Sequence, residues 1–423
     1  MKEISVDWKE KILETVQRSR KESFNALNFS ADRKNEFLSI LQKELNRESS
    51  RIIKANRKDI DTAVKKGCSS VFVDRLTLTH ERIEKMIKAA EVVKNLPDPV
   101  GQKMWETTRP NGLRIEKVRT PIGVIAIIYE SRPDVTVEAS ILCLKSGNCV
   151  ILRGGKEAKH SNRILVEIIK GSLNSAGLPG DMVNLISTGG RKAVKYILSL
   201  NGYIDLVIPR GGESLIRTVV NYSTIPVIKH YKGVCHTYVD RDADLKMALT
   251  VSFNAKVQRP GTCNAMETLL VHKDIAEDFL PNMAELFRKA NVEMRGCERT
   301  VRILKDIKTA AEEDWGMEYL DLIVSIKIVD SVESAIAHIN RYGTMHSEAI
   351  ITENRQTAEK FFKEVDAAAL YHNASTRFTD GGEFGLGAEI GISTDKIHAR
   401  GPMGLEELTI YKYLIYGSGQ IRN

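Results

Sequence analysis

Apolar positions recur at three- and four-residue intervals through the first hundred residues. Ile83, Met86, Ile87, Ala90 and Val93 share one helical face with charges between them, and Thr79 stands where an N-cap belongs. Near residue 108 the texture changes. Pro110-Asn111-Gly112-Leu113 is a turn signal between two strand-like runs, so a hairpin is expected over 108–120. Residues 122–128 are continuously apolar, as in a strand buried on both faces. Helices are then expected at 135–145 and 161–174, and strands at 149–152, 182–186, 204–208 and 226–228. After about residue 235 the alternation restarts. Strands are expected at 236–239, 268–271, 322–329, 348–352 and 367–371, and helices at 245–254, 275–290, 332–341 and 355–364. Alternating strand and helix predicts two parallel-sheet α/β domains. The tail 408–416 again has strand character, and a lone terminal strand invites pairing with a neighbouring subunit.

At 423 residues the chain exceeds one compact core, which agrees with two domains or more. The net charge of +7 is spread among acidic residues with no dense basic block, so nucleic acid is not the expected partner. No apolar run is long enough to cross a membrane, and the N-terminus lacks the apolar core of a secretion signal, so a cytoplasmic protein is expected. The six cysteines include no C-x-x-C pair, and no Cys/His group has zinc spacing; reduced thiols and no metal are expected.

Three strand-to-helix junctions carry glycine: Arg153-Gly154-Gly155-Lys156, Thr188-Gly189-Gly190 and Pro209-Arg210-Gly211-Gly212. Together they suggest a ligand crevice at the ends of one sheet, where backbone approaches closely and helix N-termini favour anions. Cys263 differs from the other cysteines. It follows Pro260-Gly261-Thr262 and precedes Asn264, in a turn between a helix and a strand. Backbone N–H groups in such a turn lower a thiol's pKa and later hold an oxyanion. Local features alone leave two readings open, a nucleophile and a small buried thiol. Arg132, Arg259 and Arg377 lie in loops at strand ends, where a guanidinium fork suits an anionic substrate.

Six stretches carry a resemblance: PIGVIAIIYESRPDVTVE, VILRGGKEA, IDLVIPRGG, QRPGTCNAMETLLVH, YHNASTRFTDGGEFGLGAEIGIS and HARGPMGLEELT. In this order, over nearly the whole chain, the sequence resembles the γ-glutamyl phosphate reductases of the aldehyde dehydrogenase superfamily. The resemblance implies an NADPH-binding domain at 1–107 and 121–235, a catalytic domain at 236–400, and a β oligomerisation flap from 108–120 and 401–423. It implies Cys263 as the covalent nucleophile and reduction of L-glutamyl 5-phosphate through a thioester, with Ser131 as the oxyanion side chain. NADPH/NADP+ would be held by Arg153, Gly154, Gly155, Lys156, Arg210, Gly211 and Glu318. Lys156, with Arg153 nearby, stands where NAD-preferring relatives carry Glu, and a cation there would welcome a 2′-phosphate. Substrate contacts are implied at Arg132, Arg259, Asn264, Asn373, Ser375 and Arg377. A homo-oligomer, dimer or tetramer, and docking of a glutamate 5-kinase are further implied. Hydrolytic relatives place a base Glu where this chain reads Ile228-Lys229-His230-Tyr231-Lys232-Gly233. That departure weighs against the alternative, a hydrolytic aldehyde dehydrogenase. Scattered charge and the intact Cys263 loop weigh against a non-catalytic nucleic-acid binder.

Overall fold

The computed structural model describes residues 7–422. The chain forms two compact units: residues up to Lys229 with Gly385–Gly391 and everything from Met403 on, and His230–Phe384 with Ile392–Pro402.

The first unit begins with five helices, α1 (Trp8–Asn25), α2 (Ala31–Arg47), α3 (Ser49–Lys65), α4 (Ser70–Leu76) and α5 (His80–Asn95). Asp7, Ser30, Ser69 and Thr79 each accept a backbone N–H in the first turn of α1, α2, α4 and α5. Phe37, Leu38, Leu41 and Leu45 of α2 are buried, the expected outcome of an apolar stripe at helical spacing. The hairpin is present as β1 (Lys103–Thr108) and β2 (Arg114–Pro121), paired antiparallel.

A βα series follows: β3 (Val124–Tyr129), α6 (Asp134–Lys145), β4 (Cys149–Gly154), α7 (Lys159–Ser175), β5 (Val183–Leu185), α8 (Gly190–Ile197), β6 (Leu206–Arg210) and α9 (Glu213–Tyr222). The four strands form a parallel sheet in the order β5-β4-β3-β6, with β3 buried throughout. The strand expected at 226–228 is reduced to one bridge, Val207 with Val227. Helix α7 has no side-chain cap of its own. Asp59 of α3 takes that role, accepting from His160 N (3.2 Å), Ser161 N (2.8 Å) and Ser161 Oγ (2.7 Å).

The second unit holds β7 (Cys235–Val239), α10 (Leu245–Val257), β8 (Met266–His272), α11 (Ala276–Lys289), β9 (Glu293–Gly296), α12 (Glu298–Ile303), β10 (Lys308–Thr309), β11 (Ile323–Val329), α13 (Val332–Tyr342), β12 (Ser347–Ile351), α14 (Arg355–Glu364) and β13 (Ala369–His372). All seven strands run parallel in the order β10-β9-β11-β8-β7-β12-β13. A short antiparallel pair, β14 (Ile392–Ser393) and β15 (Gly401–Pro402), completes it.

The chain then returns to the first unit as β16 (Thr409–Tyr416), antiparallel to β2 from Thr409 opposite Pro121 to Tyr416 opposite Arg114. The terminal strand therefore finds its partner in its own chain. Asn148 ties this segment in: its Oδ1 accepts from Gly123 N (2.8 Å) and its Nδ2 donates to Leu408 O (2.8 Å). Among the described residues no helix is long and apolar enough to cross a membrane, and no group of three or more His, Cys, Asp or Glu could hold a metal.

Candidate active site

In the second unit, α10 ends at Val257 and β8 begins at Met266. The eight residues between them make a tight turn that carries Cys263, whose side chain is half-buried. Thr262 Oγ1 donates back to Arg259 O (2.8 Å) and closes the turn. The Cys263 peptide is gripped by a segment thirty residues earlier. Cys235 Sγ donates to Cys263 O at 3.2 Å, and burial pushes the Cys235 thiol well above its ordinary value, so it remains a neutral donor. Gly233 packs so closely that a Cβ there would collide with the Cys263 carbonyl and lie 2.7 Å from its Cα; only glycine fits. Gly233 N–H in turn donates to Glu318 Oε1 (2.7 Å). Glu318, expected at the cofactor ribose, thus lies against the segment that backs the cysteine.

Asn264 fastens the turn to the loop after β13. Its Nδ2 donates to Thr379 O (2.8 Å) and Arg377 O (3.3 Å), its Oδ1 accepts from Thr262 Oγ1 (3.0 Å) and Arg377 Nη1, and its carbonyl accepts from Thr376 Oγ1 (2.7 Å). A side chain engaged this fully is a clamp rather than the substrate contact the sequence suggested. Arg377 also donates through Nε to Gln258 Oε1 (2.9 Å). Burial first, and then the like charge of Arg259, hold its guanidinium below its ordinary value, while Asp380 and Cys263 pull the other way. Arg259 and Arg377 therefore flank the cysteine with positive charge. Ser375 is buried, and its Oγ accepts from Arg377 N (3.3 Å), the role of a cap. Asn373 is not part of this group. It follows β13 with φ of 57°, and its side chain pairs with Thr352 N (3.0 Å) and Thr352 O (3.1 Å) beyond β12. Cys263 precedes its strand and Asn373 follows its own, so in a parallel sheet they mark opposite edges.

The first unit gathers the other expected residues at the carboxyl ends of its parallel strands, the usual ligand edge of such a sheet. Ser131 follows β3 with φ of 50°, and both its N–H (2.9 Å) and Oγ (3.2 Å) donate to Glu157 Oε1. Glu157 reaches across because Gly155 leaves the space its carboxylate fills. Glu130 Oε2 accepts from Gly212 N (3.2 Å), beside Gly211, and so holds the loop after β6. Arg153 corrects the sequence expectation. Its Nη1 and Nη2 donate to Ile186 O and Gly190 O, both at 2.7 Å, so the guanidinium locks the loop after β5 instead of standing ready for a cofactor phosphate. Lys156 is exposed just past Gly154 and Gly155. Arg132 is solvent-accessible and near enough to Arg210 for the two charges to repel.

Sequence reading missed Gly233, Cys235, Glu130 and Glu157. All four lie in or beside segments it had marked, but their roles arise from contacts between distant residues.

Comparison with known proteins bears on this geometry. A sequence model described as the aldehyde dehydrogenase family matches residues 7–303. The γ-glutamyl phosphate reductase of Thermodesulfovibrio yellowstonii is 53% identical over 416 residues, 98% of this chain and 99% of that one. The reductase of the same name from Halothermothrix orenii is 54% identical, with the same shares covered. The crystal structure of γ-glutamyl phosphate reductase from Thermotoga maritima superposes with a TM-score of 0.96 at 50% identity, covering 97% of this chain and all of that one. An acetylating aldehyde dehydrogenase from Geobacillus thermoglucosidasius, 15% identical with a TM-score of 0.71 and both chains fully covered, shares the fold.

Proposed function

The chain belongs to the aldehyde dehydrogenase family, and from that premise we propose the reaction and the residues that carry it out. The enzyme is a γ-glutamyl phosphate reductase. It converts L-glutamyl 5-phosphate to L-glutamate 5-semialdehyde and phosphate, the second step of proline biosynthesis from glutamate.

The Cys263 thiolate attacks the γ-acyl carbon, phosphate departs with the bonding electrons, and a thioester remains on sulfur. Arg259 and Arg377 offset the negative charge of the entering acyl phosphate. A nicotinamide cofactor supplies the hydride. The Cys263 N–H stabilises the oxyanion that forms at the former carbonyl, and collapse returns the thiolate and frees the semialdehyde. The segment 228–233 offers no carboxylate to activate water, and the nearby Glu318 accepts from Gly233 N–H. The thioester is thereby left for hydride rather than hydrolysis. The first unit suits a dinucleotide: strand ends converge on Gly154, Gly155 and Gly211, where Gly155 keeps the Glu157 bridge open. We assign NADPH as the cofactor on the exposed cation Lys156 beside that bend. Ser131, already bound to Glu157, has a weaker claim as the oxyanion side chain than the backbone N–H does.

The observation that carries this reading is the half-buried Cys263 in a turn gripped by Gly233 and Cys235 with two guanidinium groups beside it. The test is the reverse reaction, semialdehyde with NADP+. Reduction of NADP+ should require inorganic phosphate, and Cys263→Ala should abolish it with an unchanged melting temperature. Phosphate-independent turnover, or an active Cys263→Ala variant, overturns the reading.

A further inference from the structure

Lys256, in the last turn of α10, and Glu267, the second residue of β8, are fully buried and joined at 2.7 Å. They lie on either side of the nucleophile turn and close it at its base. Burying two charges costs solvation that their attraction scarcely repays, so such a pair is a poor device for stability and a better one for fixing a geometry. Glu267 uses its second oxygen for that purpose. Oε1 accepts from Leu320 N (3.2 Å), and Leu320 is held at φ of 54°, an uncommon conformation for a side chain branched like leucine. The Leu320 carbonyl lies 3.8 Å from where a Cβ on Gly261 would sit, two residues before the cysteine. Two residues before Leu320, Glu318 holds Gly233, and Gly233 is pressed on the Cys263 carbonyl.

We propose that Lys256 and Glu267 are positioning residues for Cys263: through Leu320 they fix the 318–320 segment, which sets the depth of Gly233 against the nucleophile's peptide. Burial raises the Glu267 carboxyl to about 7 and lowers the Lys256 ammonium, with Asp321, Glu318 and Cys235 among the groups around them. The pair thus gains nothing in solvation by being charged, which agrees with a geometric role. The proposal rests on Cys263 being the nucleophile.

Two double variants test it. Lys256→Met/Glu267→Leu fills the same space without charge and removes the acceptor for Leu320 N–H. Lys256→Gln/Glu267→Gln keeps a neutral bridge and keeps that acceptor. The apolar pair should fold with a near-normal melting temperature, yet lose about 100-fold in kcat with little change in KM, the scale expected for a misplaced reacting group. The alkylation rate of Cys263 by iodoacetamide, followed by peptide mass spectrometry across pH, should shift with it. The amide pair should recover kcat to within about tenfold of the parent and restore the alkylation profile. An apolar pair with unchanged kcat and alkylation overturns the proposal. So does a folded amide pair that remains as inactive as the apolar one; should the apolar pair not fold, the amide pair alone decides. Because alkylation is measured without substrate, an inactive parent enzyme would sink the functional reading separately.

Discussion

Gly233 shows how much a missing side chain can contribute. An alanine there must push either its own strand-entry segment or the Cys263 peptide aside. Gly233→Ala is therefore expected to lower kcat by about 100-fold, because a displacement near 1 Å at a reacting group has that cost. Steady-state kinetics beside a thermal melt would check it, and a variant with parental kcat would show that the turn has slack. Lys156 carries the cofactor assignment at the same scale. With Arg153 committed to the Ile186 and Gly190 carbonyls, Lys156→Glu should shift the ratio of NADPH to NADH use toward NADH. An unchanged ratio would place the reading of the 2′-phosphate on another cation.

Among elements, α13 and its neighbours enclose a titrating group that has no part in the chemistry. His338 is buried; Lys327 Nζ lies 3.1 Å from its Nδ1, and the rings of His236, Trp315 and Tyr342 surround it. Burial first, then charge at His236, Lys327 and Arg341, pull it from 6.5 down to about 2. Its folded value is below its unfolded one, so its contribution to stability is complete above pH 6.5 and is lost as the pH falls. Between pH 6.5 and 5 this one group should remove up to ~1.4 kcal/mol per pH unit. Urea unfolding of the parent and of His338→Gln should give a shallower pH slope for the variant; equal slopes would assign the proton to another site. The elements themselves were unequally legible. Continuous apolar runs announced β3 and β4, and helical stripes announced α5 and α11. By contrast, β9 is four residues with Glu293 and Arg295 alternating with Met294 and Gly296, and β10 is two residues, too short for any period to register. Cys263 was visible because its turn chemistry is local. Its support was not, because Gly233, Glu267 and Leu320 reach it only through tertiary contact.

At the scale of the molecule, β1, β2 and β16 form a sheet with open edges, and β16 leaves Tyr411, Tyr413 and Ile415 exposed, Ile415 by 62%. Apolar edge strands of this kind are seldom left bare. The protein is expected to run above its 47.3 kDa chain mass in sedimentation, and Ile415→Lys should shift it toward one chain; a parent that sediments as a monomer would refute this. The route of the chain matters as well. The first unit reclaims everything from Met403 onward, including the strand that lies on β2 and the Leu408 carbonyl that satisfies Asn148. A ribosome delivers these residues last, so the half of the protein that is made first cannot finish folding until translation ends. A premature stop in the final dozen codons would thus injure the opening half of the molecule, and a nascent-chain folding assay should find that half protease-sensitive until release.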